Sequence, residues 1–331
     1  MKRPTVVRLL GIQLFLTLPL LLAAHPARAQ SLEELELRKR TDQQSVGFGF
    51  LGIFETAAGL NRDRPEVSSL LLLAPQLKIG DRMRLRLNLG FVWTYLERQP
   101  NPTDLTDFSL QFAHLGLYRE PWSQVLFSGY ARWYFPTSKA SRNASLYGQL
   151  RLVGRASRAF GPLYLALELN GQKYFHRHTT WATDETPGSA DWLRSAGRED
   201  YLENNTSFGL GQTFTASLSP LRGLDLSLIW SFYQSRHYPA DGGHADGYGS
   251  SYLERPRQTG WSHSYRFVAD ATYGLGALPW PEGARWRRAL SKIFVSLGYY
   301  SLAPQLQEGG RRIDPFDPRY ARLYFDLMVI H

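Results

Sequence analysis

The 331-residue chain has no cysteine and only three methionines. Without a thiol it can form no disulfide framework, no zinc–thiolate centre and no cysteine nucleophile, and its leader cannot end in a lipid-modified cysteine. Long apolar runs are nearly missing too. The stretch 9–24 is almost wholly apolar, and nothing after it is long enough to span a membrane as a helix. With a mean hydropathy of −0.32, a polytopic helical membrane protein is excluded. A strong excess of one charge is also lacking. Lys2, Arg3, Arg8 and Arg28 stand in the first 29 residues, which hold no acid, and the rest carries 34 basic against 29 acidic residues. That balance argues against a nucleic-acid partner. Aromatic residues, at 14%, are plentiful.

The N-terminus reads as an address. A basic start, the apolar stretch 9–24 and the small residues of Ala27-Arg28-Ala29 make residues 1–29 a secretory signal peptide with cleavage expected after Ala29. Residues 30–44, which include the charged run SLEELELRKRTDQQ, read as a periplasmic N-terminal segment: a short helix or a solvated lead-in.

From residue 45 onward the pattern alternates in twos. In segment 82–95 one parity reads Met83, Leu85, Leu87, Leu89, Phe91, Trp93, Tyr95, and the other reads Arg82, Arg84, Arg86, Asn88, Gly90, Val92, Thr94. Successive side chains of a strand point to opposite faces, so one face is apolar throughout and the other mostly polar. Strands of soluble sandwiches average about 5–6 residues, whereas crossing a bilayer at a tilt takes about 9–11. Similar segments occur at 147–157, 163–174, 208–219, 224–234 and 261–273, and less cleanly at 46–57, 68–79, 108–118, 124–135, 292–300 and 320–331. Twelve strands are therefore predicted. The 108–118 segment switches parity near Ala113, which predicts a bulge there. Connections alternate between short (Gly80-Asp81, 119–123, 160–162, 220–223) and long (61–66, 97–106, 136–144, 176–201, 237–260, 303–317), and the long connection 278–291 breaks the rule. It holds Trp280, Arg285, Trp286, Arg287 and Arg288, which suit an amphipathic turn on the inner-leaflet surface or a docking place for a periplasmic or envelope protein.

On this pattern and its leader the chain resembles the Gram-negative outer-membrane β-barrel proteins, porin-like and about twelve-stranded. The resemblance covers residues 45–331 and rests on no motif. It implies a closed antiparallel transmembrane β-barrel, all-β, with short periplasmic turns, longer extracellular loops, and outer-membrane lipids and lipopolysaccharide as surroundings. Such proteins often end on an aromatic residue, whereas this chain ends Val329-Ile330-His331, with Tyr324 and Phe325 further in.

If the apolar parity meets lipid, the other parity lines the lumen. The expected pore-lining residues are Lys78, Arg82, Arg84, Arg86, Arg132, Arg151 and Arg155, all in the second to sixth segments, and Glu168, Asp225, Asp270 and Asp326 in the seventh to twelfth. Acid and base would then sit on opposite halves of the wall and favour anions along the basic half. Alternatively these groups pair across a filled interior, since about 8 strands leave no pore and about 16–18 leave a wide one. The leading functional expectation is passive, anion-preferring passage of small solutes. A non-enzymatic structural or assembly component that binds an envelope partner through its long loops is the second, and a lipid-modifying outer-membrane enzyme the third. No catalytic residue, metal site or cofactor is expected. Of the lipid-facing histidines, His114 has Gly116 and His263 has Tyr265 two positions on, and Ser262 and Ser264 have the wrong parity to share a face with His263, so a Ser–His lipase is disfavoured. His176, His178, His237 and His244, spread over two long loops, read as solvated side chains rather than metal ligands. Loops 176–201 and 237–260 exceed the usual length of structureless connections, which marks them as functional or mobile.

Overall fold

A computed structural model describes residues 46–61, 67–95, 103–178, 180–182, 202–238, 261–279, 286–304, 314 and 316–331. The expected segments 1–29 and 30–44, with most of the two longest loops, lie outside them. Twelve long strands follow in chain order: β1 (Val46–Gly59), β2 (Val67–Ile79), β3 (Met83–Thr94), β4 (Ser109–Arg119), β5 (Leu126–Tyr134), β6 (Leu146–Phe160), β7 (Leu163–His176), β8 (Thr206–Leu221), β9 (Leu224–His237), β10 (Trp261–Gly274), β11 (Ile293–Pro304) and β12 (Ala321–Ile330).

Each strand pairs antiparallel with its sequence neighbours, and β1 pairs with both β2 and β12, so the sheet closes on itself. Closure leaves no edge of unpaired backbone groups, the condition for a sheet in hydrocarbon. At the seam, the Phe50 and His331 backbones exchange hydrogen bonds of 2.9 and 2.8 Å. With strands about 4.8 Å apart and tilted about 40°, twelve give a backbone radius of about 12 Å.

The distribution of polarity is the reverse of a soluble protein's. Leu167, Phe214 and Leu297 are 48%, 48% and 65% exposed, whereas Gln76, Arg84 and Gln111 are 3%, 5% and 4% exposed. Apolar side chains form the outside and polar ones are buried inside, which only a hydrocarbon surrounding makes stable. Exterior aromatics cluster on the outer face of β9–β11 and the loop that follows, where Phe267 and Phe316 rings lie 4.9 Å apart and Trp230 and Phe267 5.7 Å apart. The protein is a closed, twelve-stranded transmembrane β-barrel.

All twelve expected strands are present. The expected bulge is a register shift in the β4–β5 pairing between His114 and Tyr118. Several connections carry structure of their own. The long β7–β8 connection begins and ends as a two-stranded ribbon, Thr180–Ala182 against Leu202–Asn204. Between β5 and β6 a short helix, α1 (Lys139–Asn143), is capped by the Ser138 hydroxyl, which accepts from the Ser141 amide at 3.1 Å. Asp107 holds this cap by accepting from the Ser138 amide at 2.8 Å and from the Ser141 hydroxyl. The connection after β10 contains a 3-10 turn, Leu275–Ala277, and a second helical turn, α2 (Arg287–Leu290), with Trp286 and Arg288 exposed.

Candidate functional site

The inner wall is fixed by register. Gln76 faces Arg86 across β2–β3, Arg86 faces Gln111 across β3–β4, Gln111 faces Arg132 across β4–β5, and Arg132 faces Arg151 across β5–β6. Since Gln76, Arg84 and Gln111 are buried and their strand neighbours Met83 and Phe112 are exposed, this whole row turns inward. Lys78, Arg84, Arg86, Arg132, Arg151, Arg155, Glu168, Asp225 and Asp270 all lie on the inward parity. Arg82 is the exception: it occupies the β2–β3 turn, exposed, and Nη1 donates to the Gly116 carbonyl at 3.3 Å. It stands on the rim at the short-turn end because the strand begins only at Met83.

On the basic half, neutral amides brace the cations. Arg86 Nη2 donates to Gln76 Oε1 at 3.2 Å. Arg132 Nε donates to Gln111 Oε1 at 2.9 Å, its Nη1 donates to the Tyr134 hydroxyl at 3.2 Å, and the guanidinium lies 5.2 Å from the Tyr130 ring centroid. An amide oxygen fixes a guanidinium in place without cancelling its charge. Two cross-strand pairs are of like charge, Lys78 with Arg84 and Arg132 with Arg151, and like charges directly opposite destabilise a sheet. One carboxylate, Glu168, enters this half and lies 3.7 Å from both Arg151 Nη2 and Arg155 Nε.

The expected separation of charge is therefore incomplete. Glu168 belongs to the basic half, because β7 pairs with β6 and sets it beside Arg155. The acidic half contains cations that the sequence reading left out. Glu55, directly opposite Asp326, lies in the field of Arg266 and Arg322. Arg266 shares parity with Asp270, so the alternation could have found it. Glu55 could not be found that way, because β1 carries Leu51 and Ile53 on its inner face and Phe48 and Phe54 on its outer face. Asp270 accepts from Thr272 at 3.3 Å and from the Tyr324 hydroxyl at 3.4 Å, and Asp225 accepts from Ser219.

Two uncharged stretches complete the wall. On β8 and β9 the inward residues are mostly small: Gly209, Gly211, Thr213, Thr215 and Ser217 face Ser235, Tyr233, Ser231, Ile229 and Ser227, with a Thr213–Ser231 hydroxyl contact of 2.9 Å. At the seam, Leu51, Ile53, Leu72, Met328 and Ile330 share the inner face by register.

The histidines are dispersed. His176 Nδ1 lies 2.9 Å from the Ala144 carbonyl, His237 Nε2 lies 3.0 Å from the Ser262 hydroxyl, and His244 is outside the described residues. His263 stacks on Phe232 at 5.8 Å on the outer surface, while Ser262 and Ser264 face inward, so the two hydroxyls and this imidazole lie on opposite sides of the wall. Among the described residues no group of three His, Asp or Glu side chains is arranged to hold a metal ion.

No family model matches the chain, and no curated protein matches it. Solved structures with a similar outline include the KdgM porin in complex with disordered oligogalacturonate (7% identity, TM-score 0.42, covering 85% of this chain and 98% of that one). Others are the NanC porin (9%, 0.42, 86% and 98%) and OccD3 of Pseudomonas aeruginosa (9%, 0.37, 87% and 91%). Likeness at this level brings no residue role and no solute with it.

Proposed function

We propose that the barrel is a passive, non-enzymatic channel for small solutes, with a preference for anions set by Lys78, Arg84, Arg86, Arg132, Arg151 and Arg155. The observation that carries this reading is the row of cations on one side of the wall, with like charges opposite one another at Lys78–Arg84 and Arg132–Arg151, and with Gln76 bracing Arg86 and Gln111 bracing Arg132. Like charges opposite one another concentrate positive potential on one side of the lumen, where it favours anions. The small hydroxyl and glycine wall of β8–β9 supports the same reading, since short side chains opposite long ones leave room for water and solute. Arg82 on the rim and Glu168, Asp225 and Asp270 on the wall modulate the field that a solute meets.

The test is conductance of the purified full chain in planar bilayers under a salt gradient. Steady channels whose reversal potential has the anion-preferring sign are expected. Bilayers that stay silent at every protein load would overturn the proposal.

A further inference from the structure

The outer surface carries a feature that the channel does not use. On the lipid-facing parity of β7–β10, Lys173 faces Phe208, Phe208 faces Arg236, and Arg236 faces Trp261, one continuous row across four strands. Lys173 and Arg236 are exposed. Below this row the same face is uncharged: Leu163, Leu165, Leu167 and Leu169 on β7, and Leu226, Leu228, Trp230 and Phe232 on β9. No carboxylate occupies the outward parity of these four strands. The Lys173 ammonium lies 5.6 Å from the Tyr238 ring centroid. Lys173, Phe208, Leu210, Arg236 and Trp261 line an open recess of about 550 Å³.

Height on the barrel decides what meets this row. Lys173 is ten residues on from Leu163, the first residue of β7. At about 3.3 Å rise and about 40° tilt it stands about 25 Å along the axis from the short turns. An outer-membrane barrel's apolar band is about 25 Å tall. The cations therefore sit where hydrocarbon ends on the side of the long loops, the outer leaflet. A lysine and an arginine on a lipid-facing wall are disfavoured deep in the bilayer and tolerated at such an interface. Two strands apart, their backbones are about 10 Å from one another, a span that two long side chains close around a single phosphate.

We propose that the Lys173–Phe208–Arg236–Trp261 row binds a phosphorylated glycolipid of the outer leaflet. One phosphate sits between Lys173 and Arg236, and the sugar–acyl junction rests on Phe208, Leu210 and Trp261. Cation pairs suit phosphate, and an aromatic edge suits the zone between headgroup and chain.

The experiment is native mass spectrometry of the full chain in detergent micelles with bisphosphorylated lipid A. The probe should remain bound to the wild-type barrel. Double substitution K173Q/R236Q should weaken binding about thirtyfold, the combined effect of two basic groups near an anionic surface. K173R/R236K should retain binding, and R222Q, at the opposite end of the barrel, should leave it unchanged. Heat-modifiable migration on gels verifies that each variant is folded. Three results would overturn the proposal: equal binding of lipid A by wild type and K173Q/R236Q, equal binding of phosphatidylglycerol, or displacement by inorganic phosphate at millimolar concentration, which would mark a simple anion site.

Discussion

Arg132 and Arg151 face each other across β5–β6, and replacing both by glutamine removes two positive charges from one level of the wall. In a barrel of about 12 Å backbone radius, a long side chain places its guanidinium about 6 Å from the axis. A unit charge at that distance in water is worth about 0.7 kcal/mol, and a screening length of about 8 Å at 0.15 M salt roughly halves this. The ratio of anion to cation permeability feels each charge twice, once as attraction and once as repulsion, so each arginine contributes about 0.7 kcal/mol and the pair about 1.4 kcal/mol. R132Q/R151Q should therefore reduce the anion preference about tenfold. The assay is the reversal potential across a bilayer with a tenfold potassium chloride gradient around 0.15 M. The change should shrink in molar salt, where the screening length falls to about 3 Å. An unchanged reversal potential in a variant that still conducts would refute the assignment of this wall to selectivity.

Other outcomes follow from the same geometry. E168Q removes the carboxylate that lies 3.7 Å from Arg151 and Arg155, so reversal potentials should shift the opposite way, by about threefold in permeability ratio. A Cβ at Gly298 would lie 2.6 Å from Tyr324 Cε1, so G298V should lower stability by about 1–3 kcal/mol in thermal unfolding, and adding Y324A should recover part of that loss. In the β4–β5 turn, hydrogen bonds from the Ser123 hydroxyl and from the Ser123 and Trp122 amides hold the Glu120 carboxyl below its ordinary 4.5. Its contribution to stability is full above about 4.5 and disappears as pH falls through the lowered value. E120A should therefore unfold at a lower temperature than wild type at pH 7, and the difference should vanish in strong acid.

The strands were legible because hydrocarbon and water impose opposite demands on the two faces. Where both demands hold, as in Met83–Thr94, the alternation is clean and each inward residue can be named. The bulge was legible for the same reason, since the parity change at Ala113 has no other cheap explanation. Legibility failed at the seam. Leu51, Ile53, Met328 and Ile330 make the inner face as apolar as the outer one, the alternation disappears, and Glu55 was missed with it. The partner of Glu168 was illegible for another reason. Period-2 patterning assigns a face, but only register shows that β6 sets Arg155 directly opposite. Arg82 has the inward parity and still left the wall, because parity says nothing about where a strand ends.

The aliphatic seam also bears on how a molecule would travel. Leu51, Ile53, Leu72, Met328 and Ile330 form a greasy patch beside the Glu55–Asp326 pair, in a tube whose β3–β6 side is cationic and whose β8–β9 side is hydroxylated. Anything crossing such a tube is turned as well as filtered. A guest with charge on one edge and hydrocarbon on the other can satisfy both sides at once, while a uniformly charged guest of equal size must press its far side against oil.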